Sequence, residues 1–170
     1  MGREIRRVVP NWEHPKKETY DFIHQKKVEN YQPMHDEPYI RAINEWIEGH
    51  QNWEEGRDLE RENSGCRYYA EWAGNPPEIE YYRPYWDKGD MTWYQVYETV
   101  SEGTPVTPPF ETKEELIEYL VKNGDFWDQH RGHGGWERKN AEHFVESEWA
   151  PSGILVGGQV KAPRDIGGDL

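Results

Sequence analysis

The most metal-like grouping in this 170-residue chain is Asp128, His130 and His133, held in the glycine-bounded stretch 125–135 (DFWDQHRGHGG). Imidazole nitrogens beside a carboxylate suit zinc or another divalent cation. A His pair three residues apart in a loop has no fixed geometry, however, and no distant second pair of ligands stands out. An exposed polar loop is the stronger reading, and no metal is expected. Cys66 stands beside Arg67, a cation that could activate a thiolate, yet no base partner is readable, so a bland, partly buried thiol is expected. Carboxylates are so abundant that a count cannot choose an acid and a base among them. GHGG and GILVGG lack the lysine of a phosphate loop and the strand–glycine–helix order of a dinucleotide fingerprint. No catalytic residue is nominated, no cofactor is expected, and enzyme is the minority reading.

Binding is better supported than catalysis. The chain holds 9 Trp and 11 Tyr, large rings with polar tips that suit half-buried positions and interfaces. The residues nominated for binding are Trp46, Trp53, Glu54 and Glu55 in one acidic segment, and Tyr81, Tyr82, Arg83, Trp86 and Trp93 in an aromatic one. The net charge of −13 is uneven: residues 1–30 carry seven Lys/Arg against five Asp/Glu, and residues 36–64 three against nine. Such a surface repels phosphate backbones and favours a partner with a basic surface, so direct nucleic-acid binding is not expected. A nucleotide-type ligand is the alternative, using the 81–97 rings for stacking and 125–135 for closure, although only Arg83, Lys88 and Arg131 lie nearby as cations. One cysteine excludes an internal disulfide framework. There is neither an apolar run near the length of a membrane span nor a signal-like start, so no membrane association and a cytosolic location are expected.

The elements that must position these side chains centre on 92–120. Residues 91–100 alternate as a strand, 101–105 turn, and Val106-Thr107 return before Pro108-Pro109, which confine the return to a short edge. Thr112 and Glu115 form a capping box for a helix over 113–123, with Leu116, Ile117, Leu120 and Val121 on one face and Gly124 closing it. A second helix is expected over 37–54, with Asp36 as N-cap, Pro38 in its first turn, Tyr39, Ile40, Ile43, Trp46, Ile47 and Trp53 as its apolar stripe, and a bend or end at Gly49. A third, over 137–148, places Ala141, Phe144, Val145 and Trp149 together, and Gly157-Gly158 turns a hairpin over 154–161. Elsewhere a short helix is expected at 19–28, a mobile loop at 56–65, a helix or strand at 68–72, extended chain at 80–86, a loop at 125–135 and a frayed tail at 163–170. The fold expected is α+β: a small antiparallel sheet from 91–100, Val106 and the 154–161 hairpin, packed by about three helices within a 91–162 core. Residues 1–90 form an aromatic-rich N-terminal extension.

Residues 10–15 (PNWEHP), 31–36 (YQPMHD), 71–86 (EWAGNPPEIEYYRPYW), 93–116 and 149–152 (WAPS) resemble a family of small acidic proteins that recurs as uncharacterised reading frames in tailed-phage genomes. The resemblance implies a phage accessory protein of the host bacterial cytoplasm and brings no catalytic residues. The function expected is docking on a host protein, with inhibition of a defence or nucleic-acid-handling complex as one form. A sponge or enzyme for a small nucleotide, or a minor virion or assembly component, are the alternatives. Partner identity and oligomeric state are not legible.

Overall fold

The computed structural model describes residues 2–99, 103–156 and 159–166. The chain divides into two units, Met1–Pro33 with Trp86–Leu170, and Met34–Tyr85. In chain order the elements are β1 (Arg3–Val8), β2 (Lys16–Asp21), β3 (Lys26–Tyr31), β4 (His35–Pro38), α1 (Tyr39–Glu54), α2 (Glu60–Ser64), α3 (Tyr69–Ala73) and β5 (Tyr82–Arg83). They continue with β6 (Trp93–Glu98), α4 (Lys113–Asn123), α5 (Phe126–Arg131), α6 (Arg138–Ser147), β7 (Trp149–Ala150), β8 (Ile154–Val156) and β9 (Gln159–Lys161). Helices beside small, mostly antiparallel sheets make this the expected α+β fold.

In the first unit the main sheet has the order β6-β1-β7, antiparallel throughout. The N-terminal strand therefore sits at its centre, where the sequence reading had placed only an extension. Its three arginines hide the strand pattern, because Arg6 and Arg7 lie over rings and Arg3 is paired with Asp125. Arg6 stands 4.5 Å from the Tyr97 centroid and Arg7 4.0 Å from that of Tyr94. The expected strand 91–100 is β6, with Gln95, Val96, Tyr97 and Glu98 all buried. The expected return follows it as isolated bridges, Tyr97 to Pro105 and Tyr94 to Phe110, and Val106 N–H donates to the Val96 carbonyl at 2.8 Å. Val100 and two residues of the expected turn, Ser101 and Glu102, lie outside the described residues.

The helix α4 is capped as its sequence dictates: Thr112 Oγ1 accepts from the Glu115 amide at 3.1 Å, and Glu115 accepts from the Thr112 amide at 3.3 Å. Leu116 and Leu120 are fully buried and meet Ala141, Phe144 and Val145 of α6 in one core with Val96, Val106, Trp136 and Ala150. Gly135 makes this packing possible. A Cβ there would collide with the Val121 carbonyl, and the next residue, Trp136, donates its amide to Leu120 at 2.9 Å. Trp149 leaves the expected apolar stripe: Glu148 takes φ 58, α6 ends, and Trp149 is exposed in β7.

Several expectations are corrected. Residues 19–28 belong to the antiparallel hairpin β2–β3, not to a helix. Asp21 accepts from the Ile23 and His24 amides and closes the turn, while Asn30–Thr19 and Lys27–Glu18 contacts cross between strands. The stretch 125–135 contains α5, because Asp125 accepts from the Trp127 and Asp128 amides at 2.8 and 3.0 Å and starts a helix. The hairpin β8–β9 forms where expected but as a sheet of its own rather than beside β6; its Gly157-Gly158 turn lies outside the described residues. At the C-terminus Pro163 and Ile166 are buried around a 3-10 turn, so the expected tail is anchored as far as Ile166; residues 167–170 lie outside the described set.

In the second unit α1 runs unbroken through Gly49, against the expected bend. Glycine is needed there because a Cβ would collide with the Tyr69 hydroxyl. Pro38 stands at the helix N-cap in place of the expected Asp36, which lies in β4 and pairs with Arg83 of β5 at 3.0 Å. Trp53 is fully buried, whereas Ile40 and Ile47 of the expected apolar stripe face outward. Part of the expected 56–65 loop is helical, as α2.

Candidate functional site

The first unit carries a groove of about 740 Å³ in whose walls aromatic and proline rings predominate, beside Glu13, Lys16, Gln95, Val106, Thr107 and Gln129. The 12–15 segment between β1 and β2 contributes Trp12 and Pro15, the hairpin contributes Lys16 and Tyr31, and the return after β6 contributes Pro105, Pro108 and Pro109. Tyr119 of α4 and Phe126 of α5 complete the opposite side. Trp12 is held by Trp86, edge-on at 4.7 Å between ring centroids. Phe126 is exposed at the first residue of α5, where the Asp125 cap fixes its backbone. A second hollow of about 610 Å³ adjoins the first, sharing Tyr31, Pro105, Val106, Phe126 and Lys16, and adding Glu29, Glu98, Trp127 and His130.

Beneath the groove lies a buried polar chain. Thr107 O accepts from Gln95 Nε2 at 2.8 Å, and Gln95 Oε1 accepts from the Tyr97 hydroxyl at 2.9 Å. His14 Nδ1 stands 3.1 Å from that hydroxyl, and His14 Nε2 2.7 Å from Gln32 O. Burial pushes the His14 pKa below its ordinary value; the Gln32 carbonyl opposes this and the charge of Arg6 adds to it. A carbonyl only accepts, so the neutral ring carries its proton on Nε2, and Nδ1 then competes with Gln95 for the one Tyr97 proton. Both nitrogens of His14 are engaged, so its ring is held within the chain. Two donors beside this chain, Trp12 Nε1 and Gln32 Nε2, are buried without a hydrogen-bond partner among the described residues.

The residues nominated from sequence fall elsewhere. Trp46 stacks on His50 at 5.3 Å and donates to Gly74 O, Trp53 is core, and Glu54 and Glu55 are exposed at the end of α1. Tyr82 packs on His35 at 4.9 Å and Arg83 binds Asp36, next to Tyr81 in the second unit. Trp93 pairs with Val8 at the end of β6, while Trp86 supports Trp12 from behind. Asp128 is buried, accepting from Trp136 Nε1 at 2.6 Å and pairing with Arg164 at 3.0 Å; His133 lies 3.7 Å from it, and His130 stacks instead on Phe126. Among the described residues no three His, Cys, Asp or Glu side chains gather as a metal site would.

Sequence reasoning missed the groove residues Trp12, Tyr31, Pro108, Pro109 and Phe126. The Pro108-Pro109 pair was read only as a device that confines the return strand.

Among the described residues no helix is long and apolar enough to cross a membrane. Comparison with protein-family models, with curated proteins and with solved structures returned no match.

Proposed function

We propose that this is a binding protein whose ligand is another protein, seated in the groove between the β2–β3 hairpin and α5. The observation that carries the reading is the groove itself: Trp12, Tyr31, Tyr119 and Phe126 converge on one concavity, with Tyr31 41% and Phe126 51% exposed. Rigid rings at the rim of a concavity are the anchors that interfaces use. The net charge of −13 favours a partner with a basic surface. The resemblance to small acidic phage proteins favours a bacterial host protein as that partner, with a defence or nucleic-acid-handling complex the first to test. A nucleotide ligand is less well supported, since Lys16 is the sole cation among the residues lining the larger hollow, and Glu13 stands there too.

The test is affinity capture from host lysate at low and high salt, run with the full chain and with Phe126→Ala. A partner held at low salt, released at high salt and lost with Phe126→Ala supports the reading. Capture that Phe126→Ala leaves unchanged contradicts it.

A further inference from the structure

The β2–β3 hairpin is a sheet of two strands, and neither outer edge is joined to a further strand among the described residues. Almost every residue of both strands is exposed, and at the tip Phe22 is 83% and Ile23 88% exposed. A lone two-stranded hairpin is marginal in water, and further strands are what stabilise one. From this and from the charge order along β3, we propose that two copies of the chain join through β3, antiparallel about a two-fold axis at Val28, into one four-stranded sheet. The inference rests on the hairpin and not on what fills the groove.

The charges select both the partner and the register. Within one hairpin Glu29 stands directly opposite Glu18, a like-charge pair, and the Lys27 ammonium reaches Glu18 at 2.6 Å. The Glu29 carboxylate has no hydrogen bond or ion pair among the described residues. An antiparallel pair sets residues of the same sheet face opposite each other, so a two-fold axis passes through a residue of β3, not between two. An axis at Lys27 would set that ammonium against its own copy, and an axis at Glu29 would set two carboxylates together. With the axis at Val28, Lys27 of each copy meets Glu29 of the other, Lys26 meets Asn30, and the two half-buried Val28 side chains meet at the centre. The same register lays each exposed tip alongside the Tyr31 end of the other copy's strand. On β2 the matching axis, at Thr19, would set Lys17 against Asp21, but that carboxylate already accepts from the Ile23 and His24 amides and contacts the His24 ring. Lysines on an open edge discourage indiscriminate strand pairing, so Lys26 and Lys27 favour a partner strand that carries an acid in this place.

The test is sedimentation equilibrium of the full chain at several concentrations, at low and high salt. It compares the wild type, Lys27→Glu, Glu29→Lys and an equimolar mixture of the two variants, each variant checked for folding by circular dichroism. The wild type should show a monomer–dimer equilibrium that salt weakens. Either reversal puts like charges opposite each other at both ends of the pair, and should weaken dimerisation about tenfold or more. Mixed, the two variants again set opposite charges together, and a dimer containing one of each should return. A wild type that stays monomeric would overturn the proposal and leave the lysines as guards of an unused edge. So would a dimer that both reversals spare, or a mixture that stays monomeric. A dimer abolished by Phe126→Ala but not by Glu29→Lys would place the contact at the groove and contradict the hairpin interface.

Discussion

Arg3 Nε donates to Asp125 Oδ2 at 2.6 Å, with side-chain exposures of 6% and 3%. The central strand thereby grips the N-cap of α5, and the other oxygen of the same carboxylate accepts from the Trp127 and Asp128 amides. Phe126, the most exposed ring of the groove, follows directly in sequence. The pair thus ties the sheet to the wall of the site.

Removing one partner of this pair leaves a buried charge uncompensated. Arg3→Met should therefore cost about 3–5 kcal/mol of unfolding free energy, measured by urea denaturation. Arg3→Lys should recover part of it, because an ammonium cannot reproduce the guanidinium geometry. A loss below about 1 kcal/mol, the scale of an exposed pair, would show that the contact is not the clamp described.

The buried His14 predicts a specific acid sensitivity. Its folded-state pKa lies below the ordinary 6.5, so above that pH both states are neutral and the residue adds no slope. As pH falls below 6.5 the unfolded chain takes up a proton that the folded ring resists, and stability declines until the pH passes the folded-state value. His14→Gln, which retains an amide donor for Gln32 O, should flatten stability against pH between about 6.5 and 5 relative to the wild type. Urea midpoints across that range make the comparison, and parallel curves would contradict it.

Gly135→Ala should be among the most damaging single-methyl additions in the protein. The new Cβ would meet the Val121 carbonyl, a backbone atom at the end of α4 that cannot swing aside. A loss of about 1–3 kcal/mol is expected in thermal or urea unfolding. Gly132 has open space around it, and its replacement by Ala costs only the strain of a positive φ.

Thr112→Ala removes one half of the α4 capping box and should cost about 1 kcal/mol. Restoring an acceptor with Thr112→Ser should return most of that loss, as read by the shift in urea midpoint. Equal midpoints for the wild type and Thr112→Ala would mean the cap contributes nothing.

These contrasts mark what was legible in the sequence. The helices at 113–123 and 138–147, β6 and the C-terminal hairpin are signalled locally, by Thr112 with Glu115, by the spacing of Leu116 and Leu120, and by Gly157-Gly158. A start signal for α5 was present too, since Asp125 and Asp128 repeat the same capping spacing, but the flanking glycines outweighed it. The place of β1 was not legible, because Arg6 and Arg7 reach the sheet through ring stacking that a hydrophobic pattern does not record. The groove was less legible still. Trp12, Tyr31, Pro108, Tyr119 and Phe126 come from separate stretches that long-range contacts bring together, among them strand pairing, the Arg3–Asp125 pair, the core packing of α4 and the Phe126 amide on the Val106 carbonyl.

The most direct test of the account follows the indole N–H resonances of the isotope-labelled full chain during titration with a purified partner from the lysate capture. The chain has 9 Trp, and those at positions 46, 53 and 72 report on the second unit. The account predicts a saturable change in the Trp12 and Trp127 indole resonances, whose rings line the two hollows, with Trp46 and Trp72 unchanged. Saturation with Trp12 unmoved and the changes confined to Trp46 and Trp72 would contradict it, and would place recognition on the second unit.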